Sequence, residues 1–247
     1  MTAADTAVKA VLDSLRDISV ATLVDALNRK GYRSSFMLGV RSLSPGQKLV
    51  GRAVTLRFLP SRADLLEETR RGPDSPEYRA MDLCGPGDVL VVDGMGLPYA
   101  SVGGEIKFHR LTQRRAEGIV TDAAIREAAV VRKYGLKLFA QNSTAKQGST
   151  DFLPYGVNEY IHCGGVLVRP GDYIVGEDDG VVVIPHHIVQ DVIAEASEHH
   201  RLEQFILQRL DQENVSPGNY YPIGDPGMRE KLSRLLKDEN GSCPGGR

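Results

Sequence analysis

The chain is predicted to be an α/β protein, on three observations. Glycine-punctuated, β-branched stretches such as Lys48 to Phe58 (KLVGRAVTLRF) read as strands. Segments of helical periodicity, from about Ile106 to Arg115 and about Ala124 to Tyr134, alternate with such strands. A Pro-Gly-Asp turn launching an apolar run occurs twice, at Pro86 to Gly94 (PGDVLVVDG) and Pro170 to Gly176 (PGDYIVG). Hairpin-like β structure from Gly164 to Pro185 then favours a mixed layered fold over a purely doubly wound sheet.

Residues 4 to 16 place Val8, Val11, Leu12 and Leu15 on one helical stripe. A second helix follows the N-cap candidate Ser19 through Leu23, Ala26 and Leu27 and stops at Gly31. The charged, proline-bounded residues 60 to 80 suit a surface insertion or short helices over the core. Gly118 to Thr121 and Leu136 to Ala140 are expected strands, with Gly135 ending the helix between them. Ile188 to Leu210 reads as one long helix, with apolar Val192, Ile193, Ala196, Leu202, Phe205 and Ile206. A short helix is expected from Met228 to Leu236, and disorder over 238–247. No break divides the chain, so one domain is expected over 1–247, with a core at about 20–200 and a helical tail over 201–247.

With 247 residues, 41% hydrophobic and 25% charged, the composition is that of a globular protein with a sizeable core. A formal net charge of −2 gives no case for nucleic-acid binding. The basic cluster Lys107 to Arg115 alternates with Phe108 and Leu111, as a solvated helix face does. Cys84, Cys163 and Cys243 lack disulfide-framework or zinc spacing, and read as small buried hydrophobes apart from Cys243 in the tail. The N-terminus has no signal-peptide pattern, and no apolar run reaches the roughly 18 residues that a membrane span requires. A soluble cytoplasmic protein is expected, with neither membrane nor nucleic acid as partner.

Chemistry concentrates between Gly103 and Glu127 (GGEIKFHRLTQRRAEGIVTDAAIRE). Gly103 and Gly104 permit a nest in which the amides of Ile106 and Lys107 face an anion, and Glu105 at its rim could hold a water. A tight strand-to-helix turn with Glu105 at the helix start is the plain alternative. Arg126 could grip a carboxylate through two parallel hydrogen bonds, and Glu127 could give a hard oxygen to Mg²⁺ or Mn²⁺. An ordinary helix start explains that pair equally simply. Asp178-Asp179-Gly180 is better read as a turn between strands than as a calcium loop. The six histidines show no metal-ligand spacing, and the pairs His186-His187 and His199-His200 read as solvated.

The combination of GRAVTLRF (51–58), PGDVLVVDG (86–94), GGEI (103–106), GIVTDAAIRE (118–127) and PGDYIVGEDDGVVVIP (170–185) resembles the RraA-like family. That family includes 4-hydroxy-4-methyl-2-oxoglutarate aldolases, oxaloacetate decarboxylases and a regulator of RNase E. The resemblance covers roughly residues 20 to 200. It implies a β/β/α layered, swivelling-domain-like α/β core with N-terminal helices and a C-terminal helical extension. The implied function is a metal-dependent lyase acting on a 2-oxo acid, in a homotrimer or homohexamer. The alternatives are a non-catalytic regulator that binds a protein, or a related sugar-acid lyase or dehydratase.

By the family's pattern, Glu105 would hold the catalytic water and the amides of Ile106 and Lys107, beside Gly104, would bind the pyruvyl oxygens. Arg126 would hold the substrate and Glu127 would anchor the metal. The sequence departs from the pattern in having Glu127 where Asp is usual, Glu105 where Asp is common, and Asp122-Ala123 where Asp-Gly often precedes the arginine. Glu195, Glu198 and Glu203 are candidates for an acid supplied by a neighbouring subunit.

Overall fold

The two Pro-Gly-Asp turns flank one long strand and set the frame of the sheet. In a computed structural model describing residues 3–69 and 72–241, Gly87 (φ 82°) and Gly171 (φ 85°) supply the left-handed residue that each turn needs. Asp88 accepts a hydrogen bond from the Gly85 amide and Asp172 from the Arg169 amide. Both turns then bond to neighbouring residues of the strand, through Arg52 N–H to the Gly87 carbonyl and Gly171 N–H to the Ala53 carbonyl.

The chain runs α1 (Ala3–Arg16), α2 (Val20–Arg29), β1 (Arg41–Ser42), β2 (Leu49–Pro60), α3 (Leu66–Thr69), α4 (Pro76–Leu83) and β3 (Asp88–Asp93). It continues through α5 (Glu105–Gln113), β4 (Gly118–Thr121), β5 (Ala124–Ile125), α6 (Ala128–Val131), β6 (Lys137–Ala140), β7 (Asn142–Ser143) and β8 (Phe152–Val157). The last elements are β9 (Ile161–Cys163), β10 (Val166–Val168), β11 (Tyr173–Glu177), β12 (Gly180–Ile184), α7 (Val189–Glu213) and α8 (Pro226–Gly241). Strand order in the main sheet is β1-β6-β4-β3-β2-β11-β12, and β8 also pairs with β2. The centre is parallel, β2 to β3 to β4 to β6, whereas β1, β8, β11 and β12 pair antiparallel. This is the mixed α/β arrangement expected.

Alternation along β3 builds the layers. Leu90 and Val92 join a core with Met81 of α4, Phe108 and Leu111 of α5 and Val131 of α6. Val89 and Val91 face the other way, into a core with Ile161 and Cys163 of β9 and Val166 and Val168 of β10. A helical layer, the main sheet and a β layer therefore stack in that order. The charged segment 60–80 becomes the short helices α3 and α4.

Ser19 caps α2 as expected, its Oγ accepting from the Thr22 amide. The helix expected over 124–134 is shorter: Ala124 and Ile125 pair with β7, and helical structure starts only at Ala128. The apolar periodicity there reflects burial of Ala123, Ala124 and Ile125 as extended chain, not a helix face.

The chain forms two compact units, Met1–Ile193 and Ala194–Arg247. In the second unit Leu202, Phe205, Ile206, Tyr220, Ile223 and Leu232 form a small core. There α8 continues to Gly241, past the expected end at 236, so residues 238–241 are helical rather than disordered. Residues 242–247, with Cys243, lie outside the described residues. His199 corrects the solvated reading of its pair, for it is 6% exposed, with Nε2 3.4 Å from a Glu203 oxygen. Among the described residues, no helix is long and apolar enough to cross a membrane.

Candidate active site

Strands β3 and β4 are parallel and end side by side, so the chain leaving each of them meets at one edge of the sheet. After β3 a loop leads to Gly103 and Gly104 and into α5. After β4 the short strand β5 carries the chain past Ser101, which bridges to Ala124, and on to Arg126 and Glu127. The Arg126 amide donates to the Gly103 carbonyl at 2.9 Å, locking the two segments together.

One cleft of about 510 Å³ is lined by Gly103, Gly104, Glu105, Ile106, Lys107, Arg126 and Glu127, with Ser101, Gln147, Gly148 and Ser149 closing the rest. Of the site residues expected from the sequence, Gly104, Glu105, Ile106, Lys107, Arg126 and Glu127 thus border the same space. Gln147 to Ser149 had no sequence signal, because they lie in a loop without motif or periodicity. Arg126 and Glu127 also border a second, more open depression with Arg132 and Thr144.

Glu127 sits at φ 56°, ψ 29°, a left-handed conformation that is costly for a residue with a Cβ. Its carboxylate Oε2 accepts from the Glu105 amide at 2.9 Å, placing negative charge at the N-terminus of α5. Close approach requires glycine at 104, since a Cβ there would lie 2.6 Å from Glu127 Oε2. The next amides of α5, those of Ile106 and Lys107, belong to the first turn and have no acceptor within their own helix. Ile106 leaves its side chain 92% exposed.

Arg126 is half-buried, and its Nε has no hydrogen-bond partner among the described residues. A buried guanidinium N–H without an acceptor is unfavourable unless a ligand completes it. Glu105 is held by Tyr134, whose hydroxyl donates to Oε1. That bond pushes the Tyr134 phenol above its ordinary pKa. Tyr134 in turn packs edge-on against His109. Sequence reasoning missed Tyr134, which lies 29 residues from its partner.

A separate acidic group lies where β3 and β4 end. Asp93, Asp122 and His162 bring one potential ligand atom each to within 4.8 Å of one another. Their existing bonds describe a clamp on loops better than a metal site. Asp122 accepts from the Gly94 amide at 2.7 Å and the Gly164 amide at 3.3 Å. Asp93 accepts from the Met95 amide at 3.0 Å and the His162 amide at 3.4 Å. His162 Nε2 accepts from the Gly165 amide at 3.1 Å, which puts the ring proton on Nδ1, 3.6 Å from Asp122 Oδ2. A protonated Nδ1 has no lone pair for an ion. Burial pushes the Asp122 carboxyl above the ordinary range despite the Gly94 hydrogen bond, and the charge of Asp93 adds to the rise. Burial likewise pushes the Cys84 thiol up to about 12 and the Cys163 thiol, beside Asp122, well above its ordinary value, so neither is a ready nucleophile.

The RraA-like family model (Aldolase/RraA) matches residues 20–183. Protein DlpA of Legionella pneumophila is 27% identical over 185 residues, which is 74% of this chain and 29% of that protein. The chain therefore spans well under half the length of DlpA. A Halalkalibacterium halodurans protein, provisionally named 4-hydroxy-4-methyl-2-oxoglutarate aldolase, is 28% identical over 185 residues, or 75% of this chain and 81% of that one. Among solved structures, Streptomyces coelicolor RraAS2 is described as an unusual member of the RNase ES inhibitor RraA protein family. It matches with a TM-score of 0.71 at 32% identity, over 79% of this chain and 94% of that one.

Proposed function

The chain belongs to the RraA-like family, and from that premise we propose that it is a divalent-metal-dependent lyase releasing pyruvate from a 4-hydroxy-2-oxo acid. Oxaloacetate decarboxylation would be a second outlet of the same site. The observation that carries this reading is the meeting of Glu105, Arg126 and Glu127 on one cleft beside the first-turn amides of α5.

The donor set suits Mg²⁺ or Mn²⁺, since Glu127 offers a hard carboxylate oxygen and the cleft leaves room for water and substrate. When bound, such an ion supplies Lewis-acid polarisation of the ketone. Arg126 would clamp the substrate carboxylate, giving its unpartnered Nε an acceptor. The amides of Ile106 and Lys107 would donate to the oxygen that gains charge as the C–C bond breaks. Glu105, oriented by Tyr134, would take the 4-hydroxyl proton through a water and return a proton to the methylene carbon. A lysine Schiff base has no part in this scheme, and the Lys107 ammonium is already 2.6 Å from Glu77 Oε2.

The proposal includes a homotrimer or homohexamer in which a neighbour's Glu195, Glu198 or Glu203 completes the site. Within their own unit, Glu195 and Glu198 each lie 3.3 Å from Arg229. A competing reading, a protein-binding regulator without chemistry, draws on the likeness to RraAS2 and on the engagement of the Glu127 carboxylate as a helix cap.

The deciding experiment is pyruvate release from 4-hydroxy-2-oxo acids and oxaloacetate with added Mg²⁺ or Mn²⁺, before and after EDTA. Turnover that EDTA removes and the metal restores supports the lyase. Absence of turnover on every 2-oxo acid, with or without metal, favours the regulator.

A further inference from the structure

A cleft of about 380 Å³ shares no lining residue with the candidate active site. Three segments form it: the loop after α2, strand β10 with the Pro170 turn that follows, and the end of β12. Backbone bonds hold them in place. The Val183 amide donates to the Ser35 carbonyl at 2.8 Å and the Met37 amide to the Val181 carbonyl at 2.9 Å, which laces the loop to β12. Across the cleft, Asp172 ties the turn together, accepting from the Arg169 amide at 2.9 Å and the His186 amide at 3.2 Å.

The charge of this cleft is unbalanced. Of the described residues lining it, Arg33, Arg169 and Asp172 are the charged ones. Asp172 is 3% exposed and has both carboxylate oxygens on backbone amides, so its charge is engaged inside the turn. The guanidiniums are not engaged in this way. Both arginines are exposed, and neither forms an ion pair among the described residues. Arg169 instead lies over the Tyr160 ring, 5.1 Å from its centroid, which steadies the cation without neutralising it. Ser35 is an independent sign of a missing ligand. It borders the same cleft, is 4% exposed, and its Oγ has no hydrogen-bond partner among the described residues. A buried hydroxyl left unpaired is unfavourable, and native structures keep few of them. The wall beside these donors is apolar, with Val166 and Val183 buried and Leu167 56% exposed.

Unpaired cations beside an exposed leucine suit a ligand with an anionic head and an apolar body. A guanidinium grips a phosphate or a carboxylate through two parallel N–H bonds. A phosphate monoester presents three terminal oxygens, enough for Arg33, Arg169 and Ser35, whereas a carboxylate presents two. We propose that this cleft is a second ligand site, for a small phosphate monoester with a compact apolar or aromatic body. The site does not depend on the lyase reading.

The test is calorimetric titration of the full chain, in low-salt buffer, with phenyl phosphate, inorganic phosphate and benzoate. Phenyl phosphate is expected to bind at least about tenfold more tightly than either of the others, since it alone carries both the head and the body. Arg33→Gln and Arg169→Gln should each weaken it by about tenfold or more, and both positions are exposed enough to leave the fold intact. Arg126→Gln, in the other cleft, should leave it unchanged. Ser35→Ala should weaken it by about threefold without lowering Tm, a combination that a purely structural serine would not give. Binding lost in Arg126→Gln but kept in the Arg33 and Arg169 variants would place the ligand in the active-site cleft and overturn the proposal. Benzoate as tight as phenyl phosphate overturns the phosphate assignment, and inorganic phosphate as tight overturns the apolar subsite. No phenyl phosphate binding at millimolar concentration overturns the site altogether.

Discussion

The carboxylate of Glu127 accepts a hydrogen bond from the backbone amide of Glu105 at 2.9 Å. The acid proposed to anchor a metal therefore also caps the helix that begins with the proposed proton carrier. Capture of an ion by Glu127 would compete with this bond, which couples occupancy of the site to the start of α5.

Glu127 holds a left-handed backbone, at φ 56°, for the sake of its position. Glu127→Gly and Glu127→Ala both delete the carboxylate, but only glycine adopts that conformation freely. The glycine variant is expected to be more stable than the alanine variant by about 1 kcal/mol in urea denaturation. Equal stabilities would show that the conformation carries no cost.

Gly104 is needed for closeness, not for an unusual dihedral, since its φ is −148°. Gly104→Ala would press a methyl against Glu127 Oε2, the far end of a flexible side chain that can swing aside. The fold should survive with a near-native Tm, while kcat/KM for pyruvate release falls by on the order of 100-fold as Glu127 leaves its place. Full activity in this variant would detach Glu127 from the chemistry.

Arg126→Lys is a sharper probe than Arg126→Ala, because it keeps the charge and loses the planar fork. Both are expected to lower kcat/KM by on the order of 100-fold or more, with the elution volume of the protein unchanged. A lysine variant with wild-type kinetics would mean that charge alone suffices at this position.

Asp122 gives a pH signature. Burial raises its native carboxyl pKa above the ordinary 3.8. The native state thus holds this proton more tightly than the unfolded chain does. Its contribution to stability is full below 3.8 and is lost as pH rises through the raised native value. Wild type should accordingly lose stability relative to Asp122→Asn as pH increases across that window, read from urea midpoints. A constant difference between the two proteins would contradict the raised pKa.

Much of this was legible in the residues. The turns at Pro86-Gly87-Asp88 and Pro170-Gly171-Asp172, the cap at Ser19 and the stop at Gly135 are local signals, and local physics fixes them. The grouping of Gly103 to Lys107 with Arg126 and Glu127 was legible as two turn-and-terminus sites about one βα unit apart, and the family resemblance sharpened it, because each site alone suited an ordinary helix start at least as well. Tyr134, Ser149 and the Asp122–His162 contact were not legible. Each depends on which loops the parallel strands bring together, and no local pattern encodes that. The error over 124–134 has the same source, since a fully buried extended segment and an apolar helix face present similar composition.

The long strand β2 has a consequence for how the molecule is made. Its first residues, Leu49 to Arg52, pair with Gly176 to Tyr173, and its last, Leu56 to Pro60, with residues of β8. A nascent chain emerging from the ribosome must therefore carry β2 unfinished, with an open flank, until more than a hundred further residues have been synthesised. The polypeptide is committed to closing its sheet late, and holdase chaperones have their natural opportunity in that interval.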